Sequence, residues 1–106
     1  MWIRSAFWVG RIKPGSEDRF RSGIDQDMIP SLRALPGVRD AKALWPKNLD
    51  GEPPPIGCQI LVEFADRAAL DRMLASLERR MLRERVGELA ALFDGQLSHI
   101  DYEVGE

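Results

Sequence analysis

Two segments of the chain alternate apolar and polar residues in the way that is typical of a β-strand with one covered face. From Cys58 to Phe64, apolar residues occupy every second position, with Gln59, Leu61 and Glu63 between them. Residues 96–104 near the end of the chain alternate in the same manner. Because successive side chains of a strand point to opposite faces, we predict a strand in each segment.

Two further segments predict strands, and the first of them is apolar on both faces. Residues 2–12 are rich in aromatic and β-branched residues and end at a Lys-Pro-Gly turn signal. Val38 to Trp45 predicts the other strand, and a proline-rich loop follows over residues 46–57. In the first strand, one parity carries Trp2, Ala6, Trp8 and Ile12, and the other carries Ile3, Phe7 and Val9.

Apolar residues at spacings of three and four predict helices between these strands. Ser16 is a suitable N-cap for the first helix, and Pro30 must either kink that helix or begin a second short one. Asp66 is a suitable cap for a later helix, and Ser76 for a restart of it. The stripes are Phe20, Ile24, Met28, Leu32 and Leu35 in the first helical region, and Leu70, Met73, Leu74, Leu77, Leu82, Val86, Leu89 and Phe93 in the second.

The element order β-α-β-β-α-β predicts an α+β, ferredoxin-like fold over residues 1–106 as a single domain. In this fold an antiparallel sheet carries helices on one face and leaves its other face bare. A bare face that holds large apolar side chains of the first strand is typical of an association surface. We therefore expect a homodimer through the open sheet face.

Composition and charge exclude several classes of partner. The chain has 15 basic and 17 acidic residues, a net charge of −2, and therefore no overall field that attracts nucleic acid. Gln59 and Leu61 replace the aromatic stacking platform of an RNA-recognition sheet. Charges interrupt the apolar N-terminus, which predicts neither a signal peptide nor a membrane span, and with Cys58 as the single cysteine we expect a cytoplasmic protein.

A cluster of arginines on the second helical region is interpreted as a solvated helix face. Glutamates are interleaved with the arginines at spacings that favour local ion pairs. We favour this interpretation over an anion-binding site. The arginines are Arg79, Arg80, Arg83 and Arg85, and the glutamates are Glu78, Glu84 and Glu88.

Short motifs along nearly the whole chain resemble the dimeric α/β-barrel superfamily, and within it EthD-like proteins and methylmuconolactone isomerases. The resemblance implies a dimeric α/β barrel. It also implies functions that range from cofactor-independent monooxygenases to polyketide cyclases and lactone isomerases. The motifs are Ile12-Lys13-Pro14-Gly15, Leu35-Pro36-Gly37-Val38, Val62-Glu63-Phe64-Ala65-Asp66 and Phe93-Asp94-Gly95-Gln96.

The chain departs from this resemblance at one position that bears on chemistry. EthD-like proteins tend to carry a His-x-Pro motif on the first helix, whereas here Met28 stands two residues before Pro30. His99, on the last strand, is the single histidine of the chain. Any imidazole chemistry must therefore use His99.

The candidate site is a polar stripe that we place on the open face of the sheet. We predict His99 as a proton-transfer residue with Asp101 or Glu63 as its partner, since burial and neighbouring charge move pKa values toward neutrality. Trp8, Gln59, Leu61 and Glu103 are candidate ligand-binding residues. In the alternative interpretation, His99 makes one hydrogen bond at a dimer interface and the carboxylates pair with Arg4, Arg11 or Arg39.

Two functions remain open from the sequence. The first is a cofactor-independent enzyme of the isomerase, cyclase or monooxygenase type that acts on a small hydrophobic or aromatic organic compound. The second is a non-catalytic module that dimerises or binds a small ligand. We predict no metal site and no cofactor, because His99-x-Asp101 supplies two ligands where zinc normally needs three or four.

Overall fold

The computed structural model describes residues 1–105 and contains a four-stranded sheet at the positions where strands are predicted. Each observed strand lies within a few residues of its predicted bounds. The strands are β1 (Trp2–Ile12), β2 (Val38–Leu44), β3 (Ile56–Phe64) and β4 (Phe93–Glu103).

The sheet is antiparallel throughout, with the strand order β2-β3-β1-β4. β1 and β3 are therefore central, and β4 pairs with β1 at one edge. This topology and the helices on one face confirm the α+β, ferredoxin-like fold.

The first helical region is divided at Pro30, as its lack of an N–H group requires. Helix α1 (Glu17–Ser22) continues into a π-helical segment (Gly23–Met28) and then into α2 (Ile29–Arg33). The Ile29 N–H donates to the Ile24 carbonyl, five residues back, and Pro30 follows in the first turn of α2. A first turn tolerates proline because its N–H groups have no helical partner. The predicted second short helix is confirmed.

The second helical region forms three short helices: α3 (Arg67–Ala75), α4 (Leu77–Met81) and α5 (Arg83–Ala90). The Asp66 carboxylate accepts a 2.9 Å hydrogen bond from the Ala69 N–H, and the Ser76 hydroxyl accepts one of 3.2 Å from the Arg79 N–H. Both predicted caps are therefore confirmed. Ser16 differs, since it precedes α1 but makes no capping hydrogen bond through its side chain.

Phe93 was expected on the last helical stripe, and this prediction is wrong. Helix α5 ends at Ala90, and Phe93 begins β4, where it pairs with Ile12 and is buried. Two residues later Gly95 pairs with Gly10, and both glycines have a positive φ. A side chain on either glycine would overlap the opposite backbone, so this close approach requires glycine.

The sheet has two unlike faces, which we call the helix-covered face and the open face. The helix-covered face and the helices packed on it form the hydrophobic core, which includes Trp8, Phe20, Ile60, Val62 and Phe64. The free thiol of Cys58 lies there too, and burial, with a smaller contribution from Asp25, raises its pKa to about 12. The open face carries Ile3, Ser5, Phe7 and Val9 of β1, Gln59, Leu61 and Glu63 of β3, and Ser98, Ile100 and Tyr102 of β4.

The placement of the polar stripe on one face of the sheet is corrected by the strand register. Ala6 pairs with Ile60 on one side and with His99 on the other. His99 therefore lies on the helix-covered face, together with Asp101 and Glu103. Gln59, Leu61 and Glu63 lie on the opposite, open face. Alternation within a strand divides residues into two sets, but the pairing between strands decides which sets share a face.

Candidate ligand pocket

A cleft of about 190 Å³ lies between the helix-covered face and the helices at the β4 side of the sheet. Strands β1, β3 and β4 form its floor. The π-helical segment and helices α2 to α5 contribute to its walls. Its lining residues are Arg4, Ala6, Met28, Leu32, Leu35, Ile60, Val62, Met73, Arg79, Arg80, Leu82, Arg83, Val86, Leu97 and His99.

Most of this lining is aliphatic, and the charged groups come from a few positions. The apolar side chains are the same helical stripes and alternating strand residues that build the core. Met28, which occupies the position of the histidine in the His-x-Pro motif, is 4% exposed and contributes to the apolar lining. His99 lines the cleft from strand β4, so the imidazole of this chain lies on a strand and not on the first helix.

His99 lines the cleft and keeps part of its surface exposed to solvent, but the side of the ring that faces the cleft lies in an environment that disfavours its charged form. Burial lowers its pKa below 6.5, and the positive charges of Arg4 and Arg79 lower it further, while Asp101 acts in the opposite direction. The imidazole is therefore neutral at pH 7. A neutral imidazole has a free nitrogen lone pair and can accept a proton.

Arg4 is tied to the carboxylate that follows His99 along the face of β4. Its Nη1 donates to both carboxylate oxygens of Asp101, at 2.9 and 3.1 Å. Arg4 and Asp101 are also directly paired in the register of β1 and β4. This is one of the ion pairs named in the alternative interpretation, and it holds Arg4 in the cleft wall with its charge balanced.

The arginines of α4 and α5 are mostly exposed, but three of them also border the cleft. Arg79, Arg80 and Arg83 line the cleft. Among residues 1–105, none of these three forms an ion pair with a carboxylate. Arg85 pairs with Asp27 across the helices at 3.1 Å and not with a glutamate of its own helix. Arg80 and Arg83 are exposed, as the solvated interpretation predicted, whereas Arg79 is half-buried and departs from it.

The remaining predicted site residues lie outside the cleft. Trp8 is 2% exposed and packs edge-on against Phe20 in the core. Gln59 donates a 2.8 Å hydrogen bond to the Ser5 hydroxyl on the open face.

Of the other three, Glu63 lies 3.7 Å from the Lys42 ammonium on the open face. Leu61 pairs with Lys42 on one side and with Ser5 on the other. Glu103 is exposed near the end of β4. The structure thus places Asp101 on the same face as His99, next to the cleft but outside its lining, and separates both residues from Glu63.

The arginines and the aliphatic residues of the cleft were not predicted as site residues from the sequence. Arg79 and Arg83 lie four residues apart in the sequence, a spacing that places two side chains on one side of a helix, and this spacing was the available signal. The interleaved glutamates favoured local ion pairs instead, so the arginines were interpreted as a solvated helix face. The aliphatic lining was predicted as core, which is what an apolar stripe usually forms.

Within residues 1–105 there is no cluster of three or more His, Cys, Asp or Glu side chains that could hold a metal ion. None of the helices in this part of the chain is both long and apolar enough to cross a membrane.

No protein-family model matches the chain, and no curated protein matches it either. Its fold, however, is similar to several solved structures. An EthD family protein from Bacillus halodurans superposes with a TM-score of 0.79 at 16% identity, covering 99% of both chains. SnoaB, a cofactor-independent oxygenase from Streptomyces nogalater, gives a TM-score of 0.65 at 17% identity, covering 99% of this chain and 92% of its own.

A third similar structure is a dimeric ferredoxin-like protein of unknown function from Jannaschia. It gives a TM-score of 0.66 at 19% identity and covers 98% of this chain and 100% of its own. The resemblance to EthD-like proteins is confirmed at the level of the fold, and the chain has the ferredoxin-like architecture that EthD family and oxygenase-type proteins share.

Proposed function

We propose that this protein is an enzyme that binds a small hydrophobic or aromatic organic compound in the cleft and transfers a proton through His99. The observation that carries the proposal is the position of the His99 imidazole in a mostly aliphatic cleft that also holds the guanidinium groups of Arg4 and Arg79. The volume of about 190 Å³ is below the roughly 300–1,000 Å³ of pockets for drug-sized ligands, so the substrate is small.

The proposed step is the removal of a proton from a carbon next to a carbonyl group. The His99 imidazole accepts the proton, and the electron pair of the C–H bond moves into the carbonyl to form an enolate. The negative oxygen is stabilised by a nearby guanidinium, for which Arg4, which lines the cleft and acts on His99, is the candidate. Return of the proton from His99 to the same or another carbon completes an exchange or an isomerisation without another reactant.

The structural neighbours support this class of chemistry without assigning it. One of them is described as a cofactor-independent oxygenase. A reaction of that kind must be carried by side chains and substrate alone, and enolate formation by a general base meets this condition.

Deuterium exchange into 2-tetralone tests the proposal. This bicyclic ketone is neutral and hydrophobic, and its C1–H bond is acidic because the carbonyl and the aromatic ring stabilise the anion. We expect the protein to accelerate exchange from D2O, followed by NMR, and His99→Gln to reduce the catalysed rate by about 100-fold, at the lower end of the effect of a general base. Arg72→Gln, an exposed substitution outside the cleft, is the control.

Exchange that is equally fast in the His99→Gln variant would overturn the role of His99. Saturable binding of 2-tetralone without any acceleration of exchange would instead support the second function, a small-ligand-binding module.

We also propose that the protein is a homodimer joined through the open face. Phe7 and Leu61 are half-buried at the middle of this face, and Ile100 and Tyr102 remain 42% and 46% exposed. Burying such a surface in a second copy stabilises both chains. The Jannaschia neighbour is described as dimeric. A cytoplasmic location fits a dimer whose Cys58 is a free thiol.

A further inference from the structure

We infer that the natural ligand of the cleft is an organic acid whose carboxylate is bound by Arg79 and Arg83. This inference rests on the proposed function, because it takes the cleft as the ligand site and adds the chemical class of the ligand.

The charges around the cleft do not balance. Four arginines line it, and Asp101 neutralises one of them, Arg4. Arg79, Arg80 and Arg83 have no carboxylate partner among the described residues. The cleft therefore carries an excess of positive charge next to an aliphatic interior, although the whole chain is slightly acidic.

The position of Arg79 is unfavourable when the cleft holds no anion. Its side chain is partly buried, and burial together with the positive charges of Arg4 and Arg83 lowers its pKa. Three glutamates are interleaved along the same helical region, yet among residues 1–105 none of them forms an ion pair with Arg79. A solvated arginine would avoid both costs, since long cationic side chains normally extend into water.

A bound carboxylate removes these costs. A guanidinium presents paired N–H groups that match the two oxygens of a carboxylate, and such charge-assisted hydrogen bonds are stronger than neutral ones. The aliphatic part of the cleft would then hold the hydrocarbon portion of the same molecule. The arrangement matches a small aromatic or alicyclic carboxylic acid in its ionised form.

Comparison of 2-naphthoate with 2-naphthamide tests the inference directly. The two probes have the same ring system and nearly the same planar end group, but only the first is charged. We expect calorimetry to show binding of 2-naphthoate that is about tenfold tighter than that of 2-naphthamide, the factor that corresponds to one good charged hydrogen bond.

Arg79→Gln and, as a second variant, Arg83→Gln should each reduce the preference for the carboxylate toward unity. Arg72→Gln removes one positive charge from α3 outside the cleft and should retain the preference. If Arg79→Gln proves unstable, the comparison of the two probes is made with Arg83→Gln alone.

The binding results that would overturn this inference differ from the exchange results that would overturn the proposed function. Equal affinity for the two probes, or absence of binding of both, would overturn the inference. A preference that Arg72→Gln reduces as much as Arg79→Gln would also overturn it, because long-range charge would then explain it. Deuterium exchange into 2-tetralone, which carries no charge, tests the proposed function independently of the carboxylate preference.

Discussion

The two faces of the sheet are built from the same strands, but helices cover one face and leave the other bare. On β4, alternate residues send His99 into a cleft covered by helices and Ile100 onto a face that this chain leaves bare. On β3, Ile60 is buried beneath helices while Leu61 is half-buried on the open face. One strand therefore contributes to a candidate ligand site and to a candidate dimer interface.

This difference shows how a chain of 106 residues can carry both features. A small domain buries a limited fraction of its surface, so the helix-covered face supplies the core of each chain and the cleft within it. The open face is then available for association. The ligand site does not need a second chain to supply a wall, whereas the proposed dimer would bury apolar surface on the open face and stabilise the sheet.

The largest effect is expected for truncation on the helix-covered face. Phe64 is fully buried in the core, and Phe64→Ala should lower the free energy of unfolding by about 3–5 kcal/mol through lost burial and a cavity. Urea unfolding followed by circular dichroism measures this loss. Leu61→Ala, three residues earlier on the open face, should cost clearly less at equal protein concentration. Equal losses would contradict the division into a core face and an association face.

A charge on the open face should separate the chains while leaving each one folded. Leu61→Arg places a cation at the middle of this face, and in a symmetric dimer two such cations would be desolvated near each other. Sedimentation equilibrium at micromolar concentration should then give the 12.0 kDa mass of one chain, against twice that mass for the unchanged protein. Leu49→Arg, in the loop at 66% exposure, is the control. A wild-type protein that sediments as a single chain would refute the proposed interface.

A smaller effect is expected in the titration of His99. Its pKa should lie below 6.5 and should rise toward that value in Arg79→Gln, because one of the positive charges that lower it is removed. Since this is the single histidine, its ring signals in NMR spectra are unambiguous. An unchanged pKa in Arg79→Gln would show that this guanidinium does not act on the imidazole.

The titration of His99 also lowers the free energy of unfolding as the pH falls. The unfolded chain binds a proton at His99 more readily than the folded chain, because the folded pKa is the lower one. The contribution of His99 is therefore fully present above pH 6.5 and is lost as the pH falls through the folded pKa. In His99→Gln, the urea midpoint should decrease less between pH 7 and pH 5.

The sequence predicted the fold well because local patterns specify it. The alternation in β3, the caps Asp66 and Ser76, and the break at Pro30 each depend on a few neighbouring residues. The start of β4 was placed too late because Phe93 fits both a helical stripe and a strand. The pairing of β1 with β4 continues through Gly10 and Gly95 to Ile12 and Phe93, and it joins residues that are far apart in the chain.

The candidate site was predicted less well, for a physical reason that His99 illustrates. Alternation along β4 groups His99 with Asp101 correctly, but the face they share depends on the pairing of Ala6 with both Ile60 and His99. The role of Arg79 depends on which side of a short helix meets the cleft. Both are properties of tertiary packing, and a local pattern does not contain them.

The central claim is that the ligand site lies on the helix-covered face and not on the open face. Titration of the isotopically labelled protein with 2-naphthoate, followed by heteronuclear NMR, tests this most directly. We expect saturable shifts of the His99 ring and of Ala6, Leu97 and Val86. The signals of Ile3, Leu61 and Ile100 should stay unchanged. Shifts confined to the open-face residues would contradict it.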